Sequence, residues 1–108
     1  MNNRNLEIVR QIIWEGTGLD VTYAYDDLVF PDHTAFIIQF DELTPNGLFC
    51  YFHQDCNPEE QQAILSRLTE NSMKKKYLLA YKGTYQLEQK EGEVEIKFNK
   101  IASGYFKN

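Results

Sequence analysis

Residues 34–41 and 48–53 are apolar on both of their alternating faces, and this constrains the fold more than any other feature of the chain. In the first segment Phe36, Ile38 and Phe40 alternate with Ala35 and Ile37. In the second, Leu48, Cys50 and Phe52 alternate with Phe49, Tyr51 and His53. Successive side chains of a strand point to opposite sides of its sheet. Two strands that are apolar on both sides therefore belong in the middle of a sheet, with cover needed above and below. Thr44-Pro45-Asn46-Gly47 joins them with the residues of a hairpin turn.

Around this pair the hydrophobic period switches between helix and strand. Residues 4–15 read as a helix with Leu6, Val9, Ile12 and Ile13 on one stripe and Ile8 widening it. Asn2 or Asn3 caps it, and Gly16 or Gly18 ends it. Residues 20–26 read as a strand whose Val21, Tyr23 and Tyr25 share a face. Asp26 to Asp32 reads as a turn around Leu28-Val29-Phe30, stopped by Pro31. Asn57-Pro58-Glu59-Glu60 is a helix start, with a capping Asn57, Pro58 in the first turn and Glu60 at capping-box spacing. Ile64, Leu65 and Leu68 form the stripe of that helix, and Asn71 ends it. A long strand over 77–88 places Tyr77, Leu79, Tyr81, Tyr85 and Leu87 on one face, with Gly83 marking a bend or bulge. After Lys90-Glu91-Gly92, residues 93–98 alternate Val94, Ile96 and Phe98 with Glu93, Glu95 and Lys97. Residues 101–108 add a short strand or fray.

The predicted order is α-β-β-β-α-β-β: one α+β domain over residues 1–108, an antiparallel sheet of five or six strands with two helices. Two short helices cover one face of such a sheet. The other face needs a self-closing sheet, a docked tail or another subunit, and a homodimer is the expected solution.

Charge is unevenly distributed along the chain. No lysine or arginine stands between Gln11 and Ser66, where ten acids do, including Asp26, Asp27, Asp32, Asp41 and Glu42. Residues 1–60 carry 11 acids and 2 bases, net −9; residues 61–108 carry 5 acids and 9 bases, net +4, which together give the chain's −5. An acidic field of this kind steers a basic partner and discourages nucleic acid. No apolar run reaches the ~20 residues of a membrane-spanning helix. Met1-Asn2-Asn3-Arg4 lacks a secretory apolar stretch, and two cysteines make no disulfide framework, so a cytoplasmic protein is expected.

No motif in the chain carries catalytic chemistry strongly. Cys50, His53 and Cys56, with His33 as a fourth ligand, invite a metal-site interpretation, but residues three apart on a strand diverge, and no metal or cofactor is expected. Cys56 beside a helix N-terminus invites a lowered thiol pKa with His33 or His53 as base, yet no nucleophile turn or oxyanion hole accompanies it. The carboxylates lack a calcium-loop pattern, and no Gly-rich phosphate loop is present. Lys74-Lys75-Lys76 suits the negative end of a helix.

Helix, three strands, helix, with Pro31-Asp32-His33 in the turn, resembles the double-stranded-RNA-binding domains. That family opens its second helix with lysines, whereas this chain has Asn57-Pro58-Glu59-Glu60, which repels phosphate. The whole order, small size and acidity are similar to the type III secretion chaperones. That resemblance implies an acidic homodimer holding a protein segment along its strands. The function expected is a non-catalytic interaction domain of chaperone-like, immunity or inhibitor type, binding a protein or peptide of basic character. Tyr23, Tyr25, Phe49 and Tyr51 supply contacts, and Asp26, Asp27, Asp32, Asp41 and Glu42 supply charge. The alternatives are a small-ligand binder or enzyme with a concave aromatic pocket holding His33, His53 and Cys56, and a purely structural domain.

Overall fold

The computed structural model describes residues 5–32 and 35–100. Two helices, α1 (Leu6–Thr17) and α2 (Pro58–Lys74), accompany six strands: β1 (Val21–Tyr25), β2 (Leu28–Pro31), β3 (Phe36–Asp41), β4 (Gly47–His53), β5 (Leu78–Lys90) and β6 (Glu93–Lys100). The strands lie in one sheet in chain order. The architecture is α+β, as expected. The sheet is mixed rather than antiparallel, because β4 and β5 run parallel while every other neighbouring pair is antiparallel.

The parallel pair follows from element lengths. A seven-residue β4 advances about 23 Å, and the 17 residues of α2 retrace about 25 Å. The helix thus returns the chain to the start of β4, and β5 begins there, with Leu78 beside Gly47. A helix between adjacent strands is a crossover, which makes them parallel.

The second correction is β2. Leu28-Val29-Phe30 is not the centre of a long turn but a strand, paired to β1 through the two-residue turn Asp26-Asp27, with Asp26 at φ 56°. The observed order is therefore α-β-β-β-β-α-β-β. The start of α1 is capped by Asn5, whose Oδ1 accepts from Ile8 N at 3.2 Å; Asn2 and Asn3 lie outside the described residues. Gly18 ends α1 in the left-handed conformation. Asn57 caps α2 as predicted, accepting from Glu60 N at 2.7 Å. Asn71 does not end α2. It is buried within the helix and donates to Arg67 O at 2.8 Å, and the helix continues to Lys74. Residues 101–108 also lie outside the described residues.

Both helices pack on one face of the sheet. Val9, Ile12 and Ile13 of α1 and Leu68 of α2 meet Val29, Phe36, Ile38, Phe40, Leu48, Cys50 and Phe52. Ala35, expected beside Ile37, belongs to this side as well, because it precedes the strand and its alternation. The opposite face has its own core of Ile37, Tyr51 and Tyr85, flanked by Leu28, Phe30, Phe49, Ile96 and Phe98. Ile37 and Tyr51 are dry within a single chain, at 1% and 0% exposure. The sheet curls over this face, bringing the rings of Tyr51 on β4 and Phe98 on β6 to 4.4 Å. The sheet stays open at β1 and β6, but its curl covers Ile37 and Tyr51 within one chain while Phe49 stays half-buried.

Two bulges break the predicted faces. The register shifts between Val21 and Tyr23, so Val21 packs on the helix side while Tyr23 lies against Phe30 on the other. In β5 it shifts at Gly83, where φ is 147°. Tyr77, Leu79 and Tyr81 consequently serve the helix side, and Tyr85 and Leu87 the opposite one.

Candidate functional site

The curl of the sheet opens an apolar cleft of about 240 Å³ on the face away from the helices. Its walls are Thr22 and Tyr23 of β1, Phe30 and Pro31 of β2, Phe36 and Ile37 of β3, and Tyr85 and Leu87 of β5. In a flat sheet, β1 and β5 would lie about 19 Å apart at ~4.8 Å per strand. That both wall one cleft measures how strongly the sheet is bent. Tyr23 and Tyr25 stand at the rim, 57% and 64% exposed, with rings parallel within 5° and centroids 6.5 Å apart. Tyr23 rests on Phe30 at 5.5 Å, which continues the exposed pair into the half-buried floor.

The acids expected to supply charge divide between two ends of the sheet. Asp26 and Asp27 form the β1–β2 turn, and Asp41, the last residue of β3, and Glu42 after it lie at the same end, since Phe40 N donates to Asp27 O at 2.9 Å. Asp32 is at the far end, where its N–H donates to Asp20 O at 2.7 Å. Asp27 and Asp41 also have structural duties. Asp27 Oδ2 accepts from Gln39 Nε2 at 2.9 Å, and Asp41 Oδ1 accepts from Leu43 N at 3.0 Å, closing a local turn.

Tyr51 is not a contact residue. It is fully buried, and its hydroxyl donates to Gln39 Oε1 at 2.8 Å, completing a chain Tyr51–Gln39–Asp27 beneath the cleft face. Burial, and secondarily the Asp27 charge, push its phenol above the usual tyrosine range. Phe49 is half-buried under Lys82, whose Nζ stands 4.5 Å from the ring centroid.

The cysteines and His53 lie in one region but are not grouped as metal ligands. Cys50 lies in the helix-side core. His53 stands edge-on to Tyr85 at 5.2 Å, and its Nδ1 accepts from Asp55 N at 3.1 Å. Cys56 Sγ lies 3.8 Å from Glu60 Oε1. Burial first, then the Glu60 charge, raises the Cys56 thiol pKa, so its position before α2 does not activate it. His33 lies outside the described residues. Among the described residues no three His, Cys, Asp or Glu side chains are grouped to hold a metal ion, and none of these types lines the cleft. No helix among them is long and apolar enough to cross a membrane.

Sequence reasoning missed Phe30 and Leu87 as parts of the cleft. Phe30 sat in a run too short to stand out as a strand. Leu87 reaches the cleft because the strand reverses its faces at the Gly83 bulge, a reversal that the alternation of residues 77–88 does not show. The Leu28-Val29-Phe30 run, β-favouring and bounded by Asp27 and Pro31, was the available signal.

Compared with protein families, curated proteins and solved structures, the chain has no significant match in any of the three, so both resemblances noted from sequence rest on element order and composition alone.

Proposed function

We propose that this chain is a non-catalytic interaction domain that binds a protein or peptide of basic character through the β1–β2 side of the curled sheet. The observation that carries this is the stacked, exposed Tyr23–Tyr25 pair, continuous through Phe30 with an apolar cleft and bordered by the Asp26-Asp27 turn. Exposed aromatics beside an apolar depression supply contact energy at low side-chain entropy cost, and the adjoining carboxylates favour a cationic partner. The dimer expected from sequence is not part of the proposal, because its basis was an uncovered central face.

A small-ligand function is supported by the cleft itself. At about 240 Å³ it falls below the ~300–1,000 Å³ usual for ligand pockets, and among the described residues Thr22 and the tyrosines are its only side-chain polar groups. The protein-binding function is therefore preferred.

The test is affinity capture from the native host with wild type and a Tyr23→Ala/Tyr25→Ala double variant, each at low and high salt. Capture that is lost in the variant and released by salt is the expected result. Equal capture by both proteins would place binding elsewhere and remove the proposal.

A further inference from the structure

The sheet has two outer edges, and they differ chemically. The β6 edge carries Glu93, Glu95, Lys97 and Lys100 in eight residues, with Lys90–Glu95 and Lys97–Glu88 ion pairs at 3.1 and 3.6 Å. Charged residues on an edge are a common protection against a further strand. The β1 edge is Val-Thr-Tyr-Ala-Tyr, without a charge, and residues 22–25 are all exposed. Among the described residues only β2 pairs with it. Alternate residues of an edge strand turn their N–H and C=O groups outward, ready for a ladder.

Carboxylates bracket this neutral edge. Asp20 and Asp32 adjoin one end and Asp26 and Asp27 the other. The nearby Arg10 is held chiefly by both carboxylate oxygens of Glu7, at 3.1 and 2.7 Å, and interacts more weakly with the Asp20 charge. Pairing β1 with β1 of a second copy would set these acids against one another in either orientation, so the bracket disfavours self-association here. A cationic partner meets the opposite situation.

Resting on the proposed function and specifying its mode, we infer that β1 accepts an extended segment as a seventh strand. The segment carries Lys or Arg about six residues apart, opposite Asp20 and Asp26, with apolar residues alternating between them over Tyr23 and Tyr25. The six-residue spacing is the ~20 Å from Asp20 to Asp26 at ~3.3 Å per residue. Backbone bonds supply affinity, and the bracketing charges supply selectivity.

The test uses the labelled full chain and the capped heptapeptide KVTVTVK, with EVTVTVE and KVTPTVK as controls, followed by amide NMR. KVTVTVK is expected to shift the amides of residues 22–25 and slow their exchange. The other two peptides are expected to bind at least about tenfold more weakly, as is KVTVTVK to Asp20→Asn/Asp26→Asn. That variant alters exposed side chains and keeps the fold testable. Equal binding of KVTVTVK and EVTVTVE overturns the inference. So does absence of KVTVTVK binding at millimolar concentration, or a response confined to Phe30, Ile37 and Leu87. In each of these cases partner capture lost in the Tyr23→Ala/Tyr25→Ala variant would still sustain the broader function, so the two failures are distinguishable.

Discussion

Replacing Gly83 with alanine should be among the most damaging single-methyl additions to this chain. The residue sits at the β5 bulge with φ 147°, and an added Cβ would stand 2.1 Å from Asn99 O and 3.0 Å from Lys100 Cα. Both are backbone atoms of β6, so relief requires β5 and β6 to part by more than ~1 Å rather than a side chain to rotate. A side chain in this backbone region costs about 1–3 kcal/mol. Weakening the ladder at the Gly83–Lys100 and Thr84–Asn99 pairs adds about 1 kcal/mol per bond. The total is about 3–5 kcal/mol, a large part of the ~5–15 kcal/mol typical of a domain. With a urea slope of ~1.5 kcal/mol/M, the midpoint should fall by about 2–3 M. Gly92→Ala is the control: its φ is 84°, but nothing lies within 4 Å of the added methyl, so only the ~1–2 kcal/mol conformational cost applies. Urea unfolding followed by circular dichroism compares the two. Equal midpoint shifts would refute the steric account of Gly83.

The Tyr51–Gln39–Asp27 chain predicts an order of effects. Tyr51→Phe removes one donor and should cost about 1 kcal/mol, whereas Gln39→Ala strands the buried Tyr51 hydroxyl and should cost about 2 kcal/mol. The reverse order in denaturant titrations would show that the chain does not stabilise the cleft face. Alkaline stability provides a second check. Burial first, with smaller contributions from Cys56 and Cys50, pushes the Tyr85 phenol up to about 12, whereas in the unfolded chain it ionises near ~10. The folded state thus retains a proton that the unfolded state releases. This contribution is intact below pH ~10 and is lost progressively between pH ~10 and ~12. Urea midpoints should decline over that window less steeply in Tyr85→Phe, and identical slopes would contradict the burial of this phenol.

Local chemistry was legible wherever it acted within a few residues. The Asn57-Pro58 helix start, the hairpin at Thr44–Gly47 and the alternation of β4 all required only neighbouring side chains and backbone. The β2 strand was illegible because four residues between Asp27 and Pro31 carry too little periodic signal, and its pairing to β1 and β3 supplies what the run lacks. Of the candidate site, Tyr23 and Tyr25 were identified as exposed aromatics. Tyr51 was not separable from them, since an aromatic on a strand looks the same whether water or Phe98 lies above it.

By itself, the sequence determined that the chain contains two helices and a sheet whose centre is apolar on both sides, because side-chain alternation and caps are encoded residue by residue. Only the tertiary structure decided how the second side is covered. The bend that brings β6 over Tyr51 and β1 toward Leu87 depends on bulges and strand order. Those are set by contacts between residues tens of positions apart, which no short pattern records.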